Sequence, residues 1–368
     1  MENLFIEIAQ FLSGVYSLIL ILVGTPLNLL CFYIFTRLVP NRSNPTIIVF
    51  AHLALIELLI PFTWNINYVV RELLWKYQKT TSIKNVEQHS LFICKLIAYG
   101  AYFSLQCAAW LKTLATFVRC VSLHNNWPLK KWLSKPVVIR RVIWLVVILI
   151  GFLNFPILIV NGKREYVKDQ YNQTKIEIKC YQSSFFQFWE IAHLLLYNFI
   201  PFTLMIFCNI LIIRQVRESR NRTQRSKLSA TSPKHHRTKT SDGGRLTKTL
   251  ILVTIFFILF TSPAAIFYIF FGKKIKNHKN LITMTFSNLA TTSHVTSFII
   301  YWLTSADFRD AAISAIFCRP ITSQRHSVED KQHDKQHDKH ISDQPPLAPP
   351  IVQSNDVDQR KLPLLLSS

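Results

Sequence analysis

The sequence carries no phosphate-binding glycine loop, no dinucleotide fingerprint, no catalytic triad and no spacing typical of metal ligands. Acidic side chains are scarce, with 20 Asp and Glu against 42 Lys and Arg. The apolar segments also hold too few polar residues for a transporter with paired broken helices. We therefore expect no enzymatic activity, no cofactor, no metal site and no nucleic-acid partner.

Apolar residues, in contrast, are abundant. They make up 50% of the 368 residues, Phe occurs 27 times and the mean hydropathy is +0.23, values typical of a membrane protein. Runs of about 20 apolar residues, long enough to cross a bilayer as a helix, occur seven times. They lie at residues 11–36, 46–70, 92–123, 138–160, 188–213, 247–271 and 281–304. The sequence thus predicts an all-α membrane protein with a bundle of seven transmembrane helices.

The flanking charges predict the orientation of this bundle. The side that carries the C-terminus holds 27 Lys and Arg, and the opposite side holds 14. Basic residues accumulate in the cytosol, so we expect the N-terminus outside and the C-terminus inside the plasma membrane. The first run lacks a basic leader and a cleavage site, which predicts a retained anchor. Residues 1–10 would be an extracellular N-terminus, 11–305 the membrane domain and 319–368 a disordered cytoplasmic tail.

The third run begins at Cys94 and contains two cations, Lys112 and Arg119. Both recur at helical spacing with small residues, so they share the face that looks into the bundle. A Lys at the bilayer centre costs about 2.5 to 3.5 kcal/mol on insertion scales, so Lys112 needs a partner. Glu57 in the second run lies at a comparable depth, which predicts an intramembrane ion pair. The alternative is that Lys112 snorkels or meets backbone carbonyls.

Only two of the seven cysteines, Cys94 and Cys180, fall on the predicted outer side. Two thiols in an oxidising space indicate one disulfide, with two unpaired thiols as the alternative. Asn172 opens an Asn-Gln-Thr acceptor in the same outer loop as Cys180 and is a candidate glycosylation site.

Motifs on five runs resemble those of rhodopsin-like (class A) G-protein-coupled receptors, in divergent form, over about residues 11–318. Arg119 is kept from the Asp/Glu-Arg-Tyr triplet, which here reads Val118-Arg119-Cys120. Asn28 lies in an apolar run, which predicts a hydrogen-bond tie between helices, and it matches the Asn of the family's first helix. Glu57 replaces the Asp of Leu-Ala-x-x-Asp in the second. The resemblance implies that these polar groups serve packing and activation, and that an ion pair stands where relatives bind sodium.

The later runs carry further parts of the resemblance. Pro201 matches the Pro that kinks the fifth helix, and Phe257 and Pro263 are kept from the Phe-x-x-Cys-Trp-x-Pro motif of the sixth. The seventh run ends in Ser297 to Tyr301, where the family has Asn-Pro-x-x-Tyr. The following residues 306–318 resemble the family's amphipathic eighth helix, which Cys318 would close as a palmitoylation site.

The resemblance also implies partners on the cytoplasmic side. Arg119 would engage a heterotrimeric G protein together with Pro128 and Leu129 of the second inner loop. Residues 214–248, with eleven Lys and Arg, form a third inner loop that would attract anionic membrane lipids or help recognise the G protein.

The ligand is an extracellular molecule whose class the sequence leaves open. Candidate pocket residues are Ala101, Glu190, His193, Tyr197 and Thr291. Ala101 stands where amine receptors have Asp, and Thr291 where opsins have the retinal Lys, so both ligands are disfavoured. The seventh run resembles invertebrate neuropeptide receptors of the FMRFamide type, which implies a peptide. The outer loops, starting at residue 71, have a net charge of +9 that favours a carboxylate-bearing ligand.

Two classes of function fit these observations. The first is a receptor that binds an extracellular ligand and activates a G protein. The alternative is a divergent seven-span channel or transporter, or a receptor that has lost coupling and acts as a scaffold. Charged residues along several helices would favour a channel or transporter, but outside the third run Glu57 is the one deep charge that the sequence predicts.

Overall fold

The described part of the chain is almost entirely helical. The computed structural model describes residues 2–39, 43–78, 85–124, 127–168, 174–229, 241–271 and 279–317. In the first half, the helices are α1 (Glu2–Tyr33), α2 (Pro45–Glu57), α3 (Ile60–Thr63), α4 (Asn65–Val69), α5 (Leu91–Leu123), α6 (Leu129–Leu133) and α7 (Pro136–Val160). In the second half they are α8 (Ser184–Leu194), α9 (Ile200–Ser229), α10 (Ser241–Phe270), α11 (Lys279–Val295), α12 (Ser297–Thr304) and α13 (Ala306–Phe317). Strands β1 (Lys163–Lys168) and β2 (Thr174–Lys179) pair as an antiparallel hairpin.

Three helices contain a wider, π-helical turn. These turns extend α1 over Ile34–Leu38, continue α4 over Val70–Gln78 and join α8 to α9 over Leu195–Phe199. Single π-helical turns often occur at functional sites, because they rotate the residues that follow. The third of them lies directly before Pro201, the residue predicted to kink this helix.

Among the described residues, six helical stretches are long and apolar enough to cross a membrane. They are Leu4–Leu38, Pro45–Lys76, Leu91–Leu123, Pro136–Val160, Ser184–Arg222 and Leu246–Phe267. The predicted seventh run is also helical, but it is divided at Thr296 into α11 and α12. The hydroxyls of Thr292 and Thr296 each donate to the carbonyl four residues earlier, an arrangement that often bends helices.

Helix α5 lies at the centre of the bundle. Ser90 caps its N-terminus by accepting a hydrogen bond from the Ile93 amide at 3.1 Å. The helix packs against α2, α7 and α9, and most of its residues from Cys94 to Val121 are buried. A helix that is buried on nearly all sides must satisfy its polar residues inside the protein, which sets the position of Lys112.

The second span is longer than the sequence predicts. The helix continues past residue 70 to Gln78, so Glu72 lies within it and is 3% exposed. Its carboxylate binds Arg71 at 2.7 Å and lies 3.8 Å from Lys76. The prediction of an outer loop from residue 71 was therefore wrong up to residue 78, because the chain is still helical there. The end of this helix was predicted too early, because charged residues after residue 70 interrupt the apolar run while the helix continues.

The inner ends of α9 and α10 also extend beyond the predicted runs, to Ser229 and from Ser241. The proposed third inner loop is thus helical on both sides of residues 230–240, which lie outside the described residues. The basic charges at its start are carried on a helical extension.

Helix α1 packs against α11 through a glycine. A Cβ atom at Gly24 would lie 2.6 Å from Cγ2 of Val295, closer than real Cβ contacts come. Val295 is the last residue of α11, directly before the break at Thr296. The absent side chain lets the two helices meet at this level.

We expect Gly24→Ala to destabilise the bundle by about 1 to 3 kcal/mol, because the added methyl group overpacks this contact. Val295→Ala in the same protein should restore most of the loss by removing the opposing methyl groups. The measurement is the melting temperature of the purified full-length protein in detergent. A Gly24→Ala protein as stable as the wild type would contradict the packing argument.

Candidate functional site

The centre of the bundle contains the predicted ion pair. Glu57 at the end of α2 and Lys112 in the middle of α5 are 2.8 Å apart between Oε1 and Nζ. Each side chain is 1% exposed, so neither reaches water or the membrane surface. The ammonium also lies 4.8 Å from the ring centroid of Phe257, which adds a cation–π contact. Lys112 therefore does not snorkel.

A third ionisable residue, His294 of α11, completes this cluster. Its Nδ1 lies 3.0 Å from Glu57 Oε1 and 3.1 Å from Lys112 Nζ, and its Nε2 lies 3.1 Å from the Tyr197 hydroxyl. A neutral imidazole that donates from Nδ1 to Glu57 and accepts from Tyr197 at Nε2 satisfies both ring nitrogens. The sequence reasoning missed His294. Its position three residues before Ser297, on the same helical face, was the available signal.

The cluster joins helices that are far apart in sequence. Ser297 of α12 donates to the same Glu57 oxygen at 3.3 Å, and Tyr197 comes from the π turn before α9. Phe257 of α10 contacts the Tyr197 ring edge-on at 5.6 Å. We call Glu57, Lys112, Tyr197, His294 and Ser297 the central cluster. Four of its members were candidate residues from the sequence, and the structure brings them together with Phe257.

A second polar network lies on the N-terminal side of the central cluster along α11. Thr291 donates to Asn65 Oδ1 at 2.9 Å, and the Asn65 amide donates to Asn288 Oδ1 at 2.7 Å. Ser13 and Ser17 of α1 hydrogen-bond to Asn288. Thr291, a pocket candidate, is thus a buried tie between helices. Asn65 and Asn288 are further residues that the sequence reasoning did not single out.

The other pocket candidates differ in burial and in the residues that they contact. His193 lies 3.2 Å from the Gln106 amide, and Gln106 accepts from Asn154 at 2.7 Å. Ala101 is buried, whereas Glu190 is exposed. Glu190 follows the buried Trp189, and one helical step of about 100° turns it outward. The structure therefore groups His193 and Tyr197, whose rings stack at 5.2 Å.

The N-terminal end of α5 is joined to the hairpin by the Cys94–Cys180 disulfide. Asn161 supports this link from both sides, since its amide donates to the Cys94 carbonyl at 3.1 Å and its oxygen accepts from the Tyr181 amide at 2.9 Å. Gly162 has φ +79°, and a Cβ there would lie 2.9 Å from the Cys94 sulfur. In the hairpin, hydrogen bonds from Lys163 and Lys179 lower the pKa of Glu165 to about 2. Asn172 lies outside the described residues.

At the opposite end of α5, Arg119 is 8% exposed and its Nε donates to Thr247 of α10 at 3.5 Å. Val118 beside it is 2% exposed. Pro128 and Leu129 are exposed where α6 begins. Cys318 lies outside the described residues.

The remaining motif residues pack in the bundle. Tyr301 is surrounded by the rings of Phe35, Phe50 and Phe308 at 5.0 to 5.5 Å. Pro263 is accommodated within α10.

Asn28 is buried, but neither atom of its amide group has a hydrogen-bond partner among the described residues, so the predicted tie between helices through it was wrong. Helix α1 makes its polar ties nearer its N-terminus, from Ser13 and Ser17 to Asn288.

If the ion pair carries the packing of the bundle, Glu57→Gln or Lys112→Met alone should cost about 3 to 5 kcal/mol, because each strands a buried charge. Glu57→Leu combined with Lys112→Met should recover most of this stability. Thermal stability and surface level of the full-length protein measure the coupling in a double-mutant cycle. Lys95→Met, at the outer end of the same helix, is the matched control. Additive effects of the two changes would contradict direct pairing.

For the disulfide, Cys94→Ser and Cys180→Ser should each lower stability by about 2 to 5 kcal/mol, and the double variant should lose no more than either single one. Surface expression and melting temperature are the measurements. Cys107→Ala removes a buried free thiol from the same helix and serves as the control. Losses that simply add would mean that the two cysteines act independently.

Comparison with known proteins agrees with this architecture. No curated protein matches the chain. The profile of the family described as serpentine type 7TM GPCR chemoreceptor Srw matches residues 15–319, which is most of the chain. This confirms the expectation of a G-protein-coupled receptor, while the likeness to rhodopsin-like and FMRFamide-type receptors stays a prediction. The chain belongs to the Srw family of serpentine seven-transmembrane chemoreceptors and is a multi-pass receptor of the plasma membrane.

Proposed function

We propose that this receptor binds an extracellular ligand at the Cys94 end of the bundle and activates a heterotrimeric G protein at the Arg119 end. The observation that carries the proposal is the central cluster, which joins five helical segments in the middle of the bundle. A change in helix position on one side can reach the other side through this cluster. The neuropeptide ligand implied by the resemblance stays a prediction.

The seventh span in this proposal is the pair α11 and α12. Together they extend from Lys279 to Thr304, and α11 packs against α1 and α10. Helix α13 then serves as the amphipathic eighth helix, with Phe308, Ala311 and Ala312 buried on one face. An odd number of spans, the basic charges near Arg119 and the Cys94–Cys180 disulfide all support an extracellular N-terminus and a cytoplasmic C-terminus.

A continuous chain of contacts supports transmission from the outer side to the centre. Gln106 contacts His193, whose ring stacks on Tyr197, and Tyr197 hydrogen-bonds to His294. Tyr197 lies in a π turn, which can return to a regular helix and rotate the residues after it. Such an element with two arrangements is what a coupling mechanism between distant sites requires.

From the centre, the contacts continue along the last helices. His294 lies two residues before the break at Thr296, and Ser297 follows the break while still bonded to Glu57. One turn later, Tyr301 packs on Phe35 of the first span and Phe308 of α13. A rearrangement of the central cluster would therefore move the surface next to Arg119.

Val118 removes the acidic neighbour that stabilises the inactive state in the resembled family. In the resembled family an acid at this position holds the neighbouring Arg, whereas Val118 has no charge to offer. Arg119 instead donates to the neutral hydroxyl of Thr247 at 3.5 Å, a long hydrogen bond. With one restraint missing, each 1.4 kcal/mol removed from the gap between inactive and active states raises the active population about tenfold.

We therefore expect ligand-independent signalling by the wild type. Val118→Asp should lower it severalfold by supplying the carboxylate that the resembled family has at this position, Arg119→Ala should abolish it, and Val118→Leu should leave it unchanged. The measurement is basal G-protein activation in cells at matched surface expression. Equal background signals from the wild type and Arg119→Ala, with no ligand response in either, would remove G-protein coupling from the function and favour a receptor that does not couple.

A further inference from the structure

The outer half of the bundle contains a closed circuit of aromatic rings. Trp64, between α3 and α4, contacts Tyr102 of α5 at 6.2 Å, and Tyr102 contacts Phe186 of α8 at 6.4 Å. Phe186 contacts Tyr181 at 5.2 Å, and Tyr181 stacks on Trp64 at 6.3 Å, which closes the circuit. Trp189 joins it by an edge-on contact with Tyr102 at 6.5 Å. We call these five residues the aromatic box.

Two indole donors in the aromatic box are unsatisfied, as is the hydroxyl group of Tyr181. The indole nitrogens of Trp64 and Trp189 are both buried, and neither has a hydrogen-bond partner among the described residues. Trp189 as a whole is 5% exposed. Buried donors without partners are rare and cost about 1 to 3 kcal/mol each. An indole N–H can only donate, so whatever satisfies these two groups must be an acceptor.

Tyr181 is held over the box in a strained conformation. Its φ is +61°, in the left-handed region that bulky side chains rarely adopt. The disulfide at the adjacent Cys180 and the hydrogen bond from the Tyr181 amide to Asn161 fix it there. Such strain persists only where surrounding structure enforces it, and it is common at ligand-binding positions.

Charges around the box argue against ionic ligands. The half-buried Glu87 accepts a hydrogen bond from Asn67 at 3.3 Å and is compensated by the charge of Arg71, so it offers no uncompensated charge to an ionic ligand. An ammonium ligand has no lone pair and would leave both indole donors unsatisfied. Tyr102, Phe186 and Trp189 are at most 5% exposed, whereas Trp64 and Tyr181 are half-buried, so the accessible side of the box is short, which favours a small molecule over an extended peptide.

We propose that the aromatic box binds a small uncharged molecule that carries a carbonyl oxygen, or an equivalent neutral acceptor, beside an apolar or aromatic group. The rings contact the apolar part, and the indole N–H of Trp64 or Trp189 donates to the acceptor. This inference rests on the proposed function for its consequence: Tyr102 contacts the His193 ring edge-on at 4.8 Å, so an occupant reaches the contact chain that leads to the central cluster.

Binding is tested directly on the purified full-length receptor in detergent, without a G protein. The probes are matched sets of small aryl and alkyl compounds that differ in one group: methyl ketones, carboxylates, primary amines, trimethylammonium ions and hydrocarbons. We expect the ketones to raise the melting temperature at lower concentration than the other members of each set. Because this readout does not involve signalling, a failure of G-protein coupling would leave it unchanged.

Two variants separate hydrogen bonding from ring packing. Trp64→Phe and Trp189→Phe keep an aromatic ring and remove the donor, so at least one should weaken ketone binding about threefold to tenfold while hydrocarbon binding stays the same. The matched control is Trp132→Phe, an indole that is 52% exposed on α6 at the other end of the bundle. If one variant fails to fold, the other variant and the ranking of probes on the wild type still decide.

Several outcomes would overturn the proposal. Equal stabilisation by ketones and hydrocarbons would show that the ligand needs no hydrogen-bond acceptor. A preference for carboxylates or for either cation would show that the box binds ionic ligands. Stabilisation by uncharged peptide amides but not by free ketones would indicate a peptide. Stabilisation by none of the probes, or identical ketone binding in both Trp→Phe variants and the wild type, would show that the box is a packing cluster only.

Discussion

The packing of this bundle depends on a single buried charge pair, Glu57 and Lys112. Lys112 cannot lie in hydrocarbon without a counter-ion, and Glu57 cannot lie there without donors, so α2 and α5 have to meet at one depth and one rotation. His294 and Ser297 then fix α11 and α12 against the same carboxylate. In a membrane, where apolar contacts between helices gain little over contacts with lipid, such polar ties specify which helix faces pack together.

The sequence predicted the features that chemistry makes unavoidable. A mid-membrane Lys demands an acid, and Cys94 and Cys180 are the two cysteines on the predicted outer side, so the ion pair and the disulfide followed from residue type and position. Apolar runs likewise predicted the helical bundle, because only a helix satisfies its own backbone in a bilayer. These predictions required only an estimate of how deep a residue lies in the membrane. They did not require knowing which way its helix is rotated.

What the sequence could not predict depends on that rotation. His294, Asn65 and Asn288 are ordinary polar residues of their runs, and only the packed helices reveal that they converge on partners more than two hundred residues away. The π turns shift the facing of Tyr197 and carry the second span through Glu72, which periodicity assigned to a loop. Asn28 is the opposite case, because it was predicted to form a hydrogen bond between helices but has no partner among the described residues.

The geometry at Glu57 has one further consequence. Lys112, His294 and Ser297 all lie within 3.3 Å of the same oxygen, Oε1. A carboxylate oxygen offers about two lone-pair directions, so three donors compete for them and one must always be held less tightly than the others. His294 and Ser297 are neutral donors, so α11 and α12 can exchange places at the oxygen, one advancing as the other withdraws, while Lys112 stays paired and the negative charge remains compensated. Because Glu57 Oε1 has more donors than lone-pair directions, the bundle can change shape at its centre without exposing an unpaired charge to hydrocarbon.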